Sequence, residues 1–204
     1  MATRTKGGVL LPVIILVAAV AMFGGDKVVD TVTGLFTGGG RTILGEGDSR
    51  VMVATAAESD AKRCETPQLL ADRRCGELHV LLVDANKIPF IARNTQLAWE
   101  SGRPGVLTMN RAKQDENRRI ACPRSFSKKY GGQCDEYPMA STGEGGGSAR
   151  TEEVPGRENS CQGGMYGAQY PKDGQRFLVV IVHPDRIATE AFSGTDIAKD
   201  KGLC

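Results

Sequence analysis

Histidine is almost missing from this 204-residue chain: the two that occur, His79 and His183, lie in or at the end of apolar runs, where packing or a hydrogen bond accounts for them better than catalysis. No two cysteines have C-x-x-C spacing. With so little imidazole, that argues against a zinc knuckle. Net charge is nearly absent too, with 26 Lys/Arg against 24 Asp/Glu, and the excess of +2 is supplied by Arg4 and Lys6 alone. A chain lacking its first 25 residues would be neutral by count. No internal repeat or coiled-coil heptad is evident. What remains is one globular domain with appendages, the usual outcome at this length.

The first appendage is explicit. "MATRTKGG" is basic, and the apolar run "VLLPVIILVAAVAMFGG" follows, with Ala19 and Ala21 forming an A-x-A-like cleavage site. Residues 1–25 therefore read as a signal peptide. A retained membrane anchor is the rival, because the run is only slightly short of a spanning helix. Both readings place the mature chain outside the cytoplasm, either secreted or anchored to the outer face of the membrane. Six cysteines, Cys64, Cys75, Cys122, Cys134, Cys161 and Cys204, agree with export, since an even count in an oxidising compartment usually means disulfides. Spacing suggests Cys64 with Cys75 and Cys122 with Cys134, leaving Cys161 for Cys204. Six cysteines allow fifteen pairings, however, and sequence alone does not choose among them.

Residues 26–61 are rich in Gly and Thr and read as a poorly structured spacer with one strand at "SRVMVAT". Residues 62–204 form the domain proper. "ELHVLLVD" is a continuous apolar run of strand length. "NKIPFIARNTQLAWESGRP" is helical, with Asn86 as a plausible N-cap, Pro89 in the first turn, and Gly102 and Pro104 as stops. "GVLTMN" is the next strand. "RAKQDENRRIAC" is helix-compatible and gathers Arg111, Lys113, Arg118 and Arg119 as candidates for phosphate contacts. "CDEYPMAS", "TGEGGG" and "SARTEEV" read as strand, turn and returning strand. A short helix follows in "RENSCQGGMYGAQY", and "QRFLVVIV" is a final strand. The expected class is α+β, a compact sheet with flanking helices.

Charge is unevenly spread along this domain. Residues 71–133 hold 12 Lys/Arg against 6 Asp/Glu, and residues 134–160 hold 6 Asp/Glu against 2 Arg. Cations beside carboxylates are what a metal-using phosphodiesterase needs, although ordinary solvated faces give the same counts. Alternation puts Asp135 and Glu136 on opposite faces of their strand. Pro138 marks an edge or a break in pairing. Glu144, among glycines, could approach a metal or the first acid, or simply solvate a turn. Asn159 and Gln162, three apart, share a helix face. An oxygen-rich set of Asp135, Glu144 and Asn159 suits Mg²⁺, Mn²⁺ or Ca²⁺ better than zinc. Trp99 and Tyr166 could stack on bases, with core packing the better account of the tryptophan.

The run "CDEYPMASTGEGG", followed by "VPGRENSCQGG" and "YPKDGQRFLVVIV", resembles the secreted bacterial deoxyribonucleases of the NucA/NucB type, and the likeness extends over about residues 78–182 through "HVLLVDANKIPFIARNTQLAWESGRPGVLT" and "ENRRIAC". The resemblance implies a sequence-non-specific DNA endonuclease with a ββα-metal core that holds one divalent ion, Mg²⁺ or Mn²⁺. It places an aspartate, Asp135, where related enzymes carry a histidine base. Glu136 is then the acid beside it, Glu144 the acid of the turn, Asn159 the metal ligand together with Glu144, and Gln162 a polar substrate-binding position. Arg118 and Arg119 would hold DNA through its phosphates. Candidate partners besides DNA are an inhibitor protein, and the membrane if the N-terminal segment is retained; the chain is expected to be monomeric. Two other classes fit the acids less well: a secreted carboxylate-dependent glycosidase, and a non-catalytic disulfide-stabilised binding module.

Overall fold

The computed structural model describes residues 39–201 and 204, so the segment read as a signal or anchor lies outside the described residues. Two apolar runs make the centre. β4 (Leu78–Asp84) and β8 (Arg176–Val182) pair in parallel, with Val80 opposite Leu178 and Val83 opposite Ile181. Phe177 to Ile181 are all fully buried. Strands covered on both faces lose the need to alternate, which is why both read as unbroken hydrophobic stretches. Antiparallel strands extend the sheet. β2 (Val51–Ala54) and β5 (Val106–Thr108) share the other edge of β8, β1 (Arg41–Leu44) pairs with β2, and β3 (Arg74–Cys75) pairs with β4.

The spacer reading fails over its described part. All four residues of β2 are buried in the sheet, and β1 is the strand beside it. Val51, Met52 and Val53 match a fully buried strand, but the glycines before them hid β1. Two short helices follow, α1 (Glu58–Ala61) and α2 (Thr66–Asp72), and the Cys64–Cys75 disulfide ties them to β3.

A second layer is built from a hairpin and three helices. β6 (Gln133–Tyr137) runs antiparallel to β7 (Arg150–Val154), and α5 (Gly156–Gly167) leads directly out of β7. Helix α3 (Pro89–Glu100) joins the two layers, packing on β1, β2 and β4 of the main sheet and on β6, β7 and α5 of the second layer. Contact on both sides explains why eight of its twelve residues are buried, from Pro89 to Trp99. Its C-terminal end is fixed by a relay in which Trp99 Nε1 donates to Tyr137 Oη and that hydroxyl donates to Pro104 O, both at 2.8 Å. Its N-terminal end is not capped by Asn86, as the sequence suggested. Glu158 of α5 does so, its Oε2 accepting from Phe90 N at 3.0 Å and Ile91 N at 3.2 Å.

The remaining helix, α4 (Gln114–Ala121), sits outside the hairpin. Its buried Asn117 donates through Nδ2 to Ala140 O at 2.8 Å and Thr142 O at 2.9 Å. The glycine run after Glu144 makes room for it: a Cβ on Gly145 would meet Met139 O at 2.5 Å, and Gly146 has φ +88° with Asn117 Oδ1 at 2.7 Å from its Cβ position. Three cysteine pairs lie at disulfide distance, Cys64–Cys75, Cys122–Cys134 and Cys161–Cys204, with Cα separations of 5.6, 5.8 and 5.2 Å, as the spacing suggested. Among the described residues no helix is long and apolar enough to cross a membrane. The class is α+β, with sheets flanked by helices.

Candidate active site

The two faces of β6 divide its acids. Gln133, Asp135 and Tyr137 turn toward α3 and α5, while Cys134 and Glu136 turn toward α4. Asp135, 2% exposed, is held at both oxygens: Asn94 Nδ2 donates to Oδ2 at 2.7 Å, and Gln162 Nε2 donates to Oδ1 at 2.8 Å. One amide comes from α3 and the other from α5, so the carboxyl orientation is set by how these two helices pack. The orientation of Asn94 is itself fixed. Arg150 NH1 donates to its Oδ1, which leaves the NH₂ for Asp135. Arg150 also pairs with Glu152 at 2.6 Å, and Arg93 binds the other oxygen of Glu152, the residue directly across the hairpin from Asp135.

Burial lifts the Asp135 pKa to about 6. Hydrogen bonds from Asn94 and Gln162 and the charge of Arg118 pull it down, and Glu152 pushes it up. Glu136, 6% exposed on the opposite face, rises to about 7 through burial and then through the charge of Asp135, against Arg118 and the Ala140 amide. Arg118 NH1 lies 3.3 Å from Glu136 Oε1 and its own side chain is 50% exposed. The centre therefore holds two adjacent acids that change charge near neutral pH, with an arginine reaching from one of them to solvent.

The other candidate residues fall around this centre. Gln162, the expected substrate-binding position, donates from Nε2 to Asp135 Oδ1. Asn159 Nδ2 donates to Gln133 Oε1 at 2.6 Å, two residues along the same strand face, which leaves its amide oxygen as the atom a cation would take. Glu144 is held from β5, its Oε2 accepting from Thr108 N at 2.9 Å. Arg119 is exposed on α4 beside Arg118. Tyr166 is buried with Trp99, so neither offers a face to a base. Both histidines are hydrogen-bonded, His79 to Arg74 and His183 to Asp84.

Asn94, Arg150 and Glu152 were not among the sequence candidates. Asn94 carried one signal, a polar residue on the helix between buried Ile91 and Ala98. Nothing local announced that its partner lay 41 residues on. Cys122, Cys134 and Glu136 also bring ligand-type atoms within 4.8 Å of one another. Both sulfurs are spent in the Cys122–Cys134 disulfide, which leaves Glu136 as the only ligand of the three. Oxygen donors remain, a set that fits a hard cation and not a soft one.

Residues 92–180 match the family model described as deoxyribonuclease NucA/NucB. The match begins in α3 and ends in β8, so it contains Asn94, Asp135, Glu136, Arg150, Glu152 and Gln162. Among curated proteins, none matches the chain.

Proposed function

We propose, from the premise that residues 92–180 place the chain in the deoxyribonuclease NucA/NucB family, that it is a secreted, metal-dependent endonuclease hydrolysing DNA phosphodiester bonds without sequence preference. The observation that carries this reading is Asp135, a buried carboxyl clamped by two side-chain amides from two helices, in a strand–strand–helix unit. Asp135 is the general base. With its pKa near 6 it is largely ionised at pH 7, yet basic enough to accept a proton from attacking water. Asn94 and Gln162 keep both lone-pair directions fixed, so the proton acceptor is aimed before substrate arrives.

Glu136 tunes that base through charge, and Arg118, paired with Glu136 and half exposed, binds the phosphate with Arg119 beside it. Asn159, through Oδ1, is the residue that would hold a hard divalent ion such as Mg²⁺ or Mn²⁺, which would supply Lewis-acid stabilisation of the phosphoryl and leaving oxygens. Glu144 gives Oε2 to Thr108 N, so Oε1 is the oxygen it would offer to the ion. Secretion is supported by the cysteines, none of which is free.

Plasmid nicking tests the reading. Oxidised protein starting near residue 26 nicks supercoiled DNA in Mg²⁺ or Mn²⁺, stops in EDTA, and loses activity in Asp135→Asn. Cleavage unaffected by both EDTA and the substitution overturns the base and metal assignments; intact DNA under all conditions overturns the nuclease reading and returns the glycosidase and binding-module alternatives.

A further inference from the structure

The segment "PRSFSKKYGGQ", closed into a loop by the Cys122–Cys134 disulfide, contains Arg124, Lys128 and Lys129 and no acid. All three cations are exposed, and among the described residues none forms an ion pair. Unpaired cations crowded into a short loop repel one another, which disfavours the loop unless something holds it. Here several contacts do. Tyr130 N and Gly132 N donate to Glu153 Oε1 at 3.0 and 2.7 Å. A Cβ on Gly132 would meet Val154 O at 2.4 Å, so the loop lies directly on β7. Tyr130, 43% exposed, stands edge-on to Phe192 with ring centroids 6.3 Å apart, and Lys129 Nζ sits 5.1 Å from the Tyr130 centroid. The loop is therefore pre-shaped while its charges remain unanswered.

Its root is at the reaction centre. Cys134 immediately precedes Asp135, and Cys122 Sγ lies 3.0 Å from Glu136 Oε2. Arg118, one helical turn before Cys122, pairs with that same carboxylate. Along the chain the cations run on from Arg118 and Arg119 of α4 to the loop beyond Cys122. A polyanion reaching the centre would meet this row, and each neutralised phosphate would release counterions.

We propose that residues 123–133 form a grip for the backbone of duplex DNA, in which Arg124, Lys128 and Lys129 neutralise phosphates flanking the scissile one and Tyr130 positions Lys129. The inference rests on the deoxyribonuclease reading above. Lys129 lies over a face of Tyr130 and Phe192 packs against the same ring at 80°, and contacts made by the three cations to phosphates add affinity without sequence preference.

The test is binding of a fluorescein-labelled 20-base-pair duplex, followed by anisotropy in EDTA from 50 to 200 mM salt, together with plasmid cleavage by the unmodified protein. Three phosphate contacts contribute about 2.7 to the slope of log K against log salt. Arg124→Ala/Lys128→Ala/Lys129→Ala is expected to lose that much slope, so that the fourfold rise in salt weakens the unmodified protein about 40-fold more than the variant. A charge-matched control, Lys62→Ala/Arg63→Ala/Arg73→Ala around α1 and α2, is expected to keep the unmodified slope. Tyr130→Phe is expected to retain affinity and Tyr130→Leu to lose about two- to fivefold. An unchanged slope in the loop variant, or an equal loss in the control, overturns the grip while cleavage by the unmodified protein leaves the nuclease reading standing. Absence of both binding and cleavage by the unmodified protein overturns the reading itself.

Discussion

Glu158→Gln isolates the ionisation of one buried acid. Glu158 is fully buried, gives Oε2 to the Phe90 and Ile91 amides, and leaves Oε1 without a hydrogen bond, 3.8 Å from the Arg157 guanidinium. Burial lifts its pKa from 4.5 to about 8, with Asp196 adding to the rise and the two amides and Arg157 opposing it. An acid with a raised pKa holds its proton in the folded state after the unfolded chain has released it. Stability is then greatest below about pH 4.5 and falls as pH rises to about 8. At about 1.36 kcal/mol per pKa unit, the loss approaches about 5 kcal/mol as an upper figure. Gln keeps an acceptor for the two amides and has no proton to lose. Urea unfolding at half-unit steps from pH 5 to 9 should show the unmodified protein losing stability relative to Glu158→Gln by several kcal/mol across that range. Asp135 and Glu136 slope the same way in both proteins, so the difference between the curves belongs to Glu158. Parallel curves would refute the reasoning. Glu158→Ala, which orphans the two amides, should be destabilised by about 1–3 kcal/mol per donor even at pH 5.

The other predictions concern the candidate active site. In the unmodified protein, cleavage should rise with pH through an acid limb near 6, and Asp135→Asn should lower kcat by about 10²–10⁴; an intact limb in Asp135→Asn would place the base elsewhere. Because Asp135 and Glu136 are coupled, the limb belongs to the pair, and Arg118→Ala should move it to higher pH by removing a cation that favours both carboxylates. Asn94→Ala should move it the same way while raising KM little, since Asn94 touches Asp135 and not the exposed cations; a KM effect alone would count against the clamp. Cys122→Ser/Cys134→Ser opens a link between residues 12 apart and should cost about 3 kcal/mol in urea unfolding, with DNA affinity falling as the loop loses its shape.

Where hydrophobic pattern decides structure, the sequence was readable. β4 from Val80 to Val83 and β8 from Phe177 to Val182 are unbroken apolar runs because the central sheet is covered on both faces, and the alternation in β6 correctly sent Asp135 and Glu136 to opposite sides. Where a single polar contact decides, it was not. Asn86 had the chemistry of an N-cap, but Glu158 took that role from 68 residues away. Glu144 sat among glycines that looked like freedom for a ligand. Those glycines instead admit Asn117, and Glu144 goes to Thr108. β1 was hidden because "TGGGRT" carries turn chemistry up to its first residue; pairing with β2, not propensity, makes it a strand.

Helix α3 couples the centre to the fold. Its apolar residues bind it to both layers, but three polar bonds set how the hairpin is aimed: Glu158 at its first turn, Asn94 to Asp135 at its middle, and Trp99 to Tyr137 at its end. Asp135 therefore depends on the rotation of α3 about its axis. A helix turns about 100° per residue, so a small slip carries the Asn94 amide away from the carboxylate. Apolar contacts tolerate such slips because they lack direction; hydrogen bonds do not. In the role proposed for it, Asp135 would take its aim and its basicity from different sources, the two amides supplying the first and burial the second.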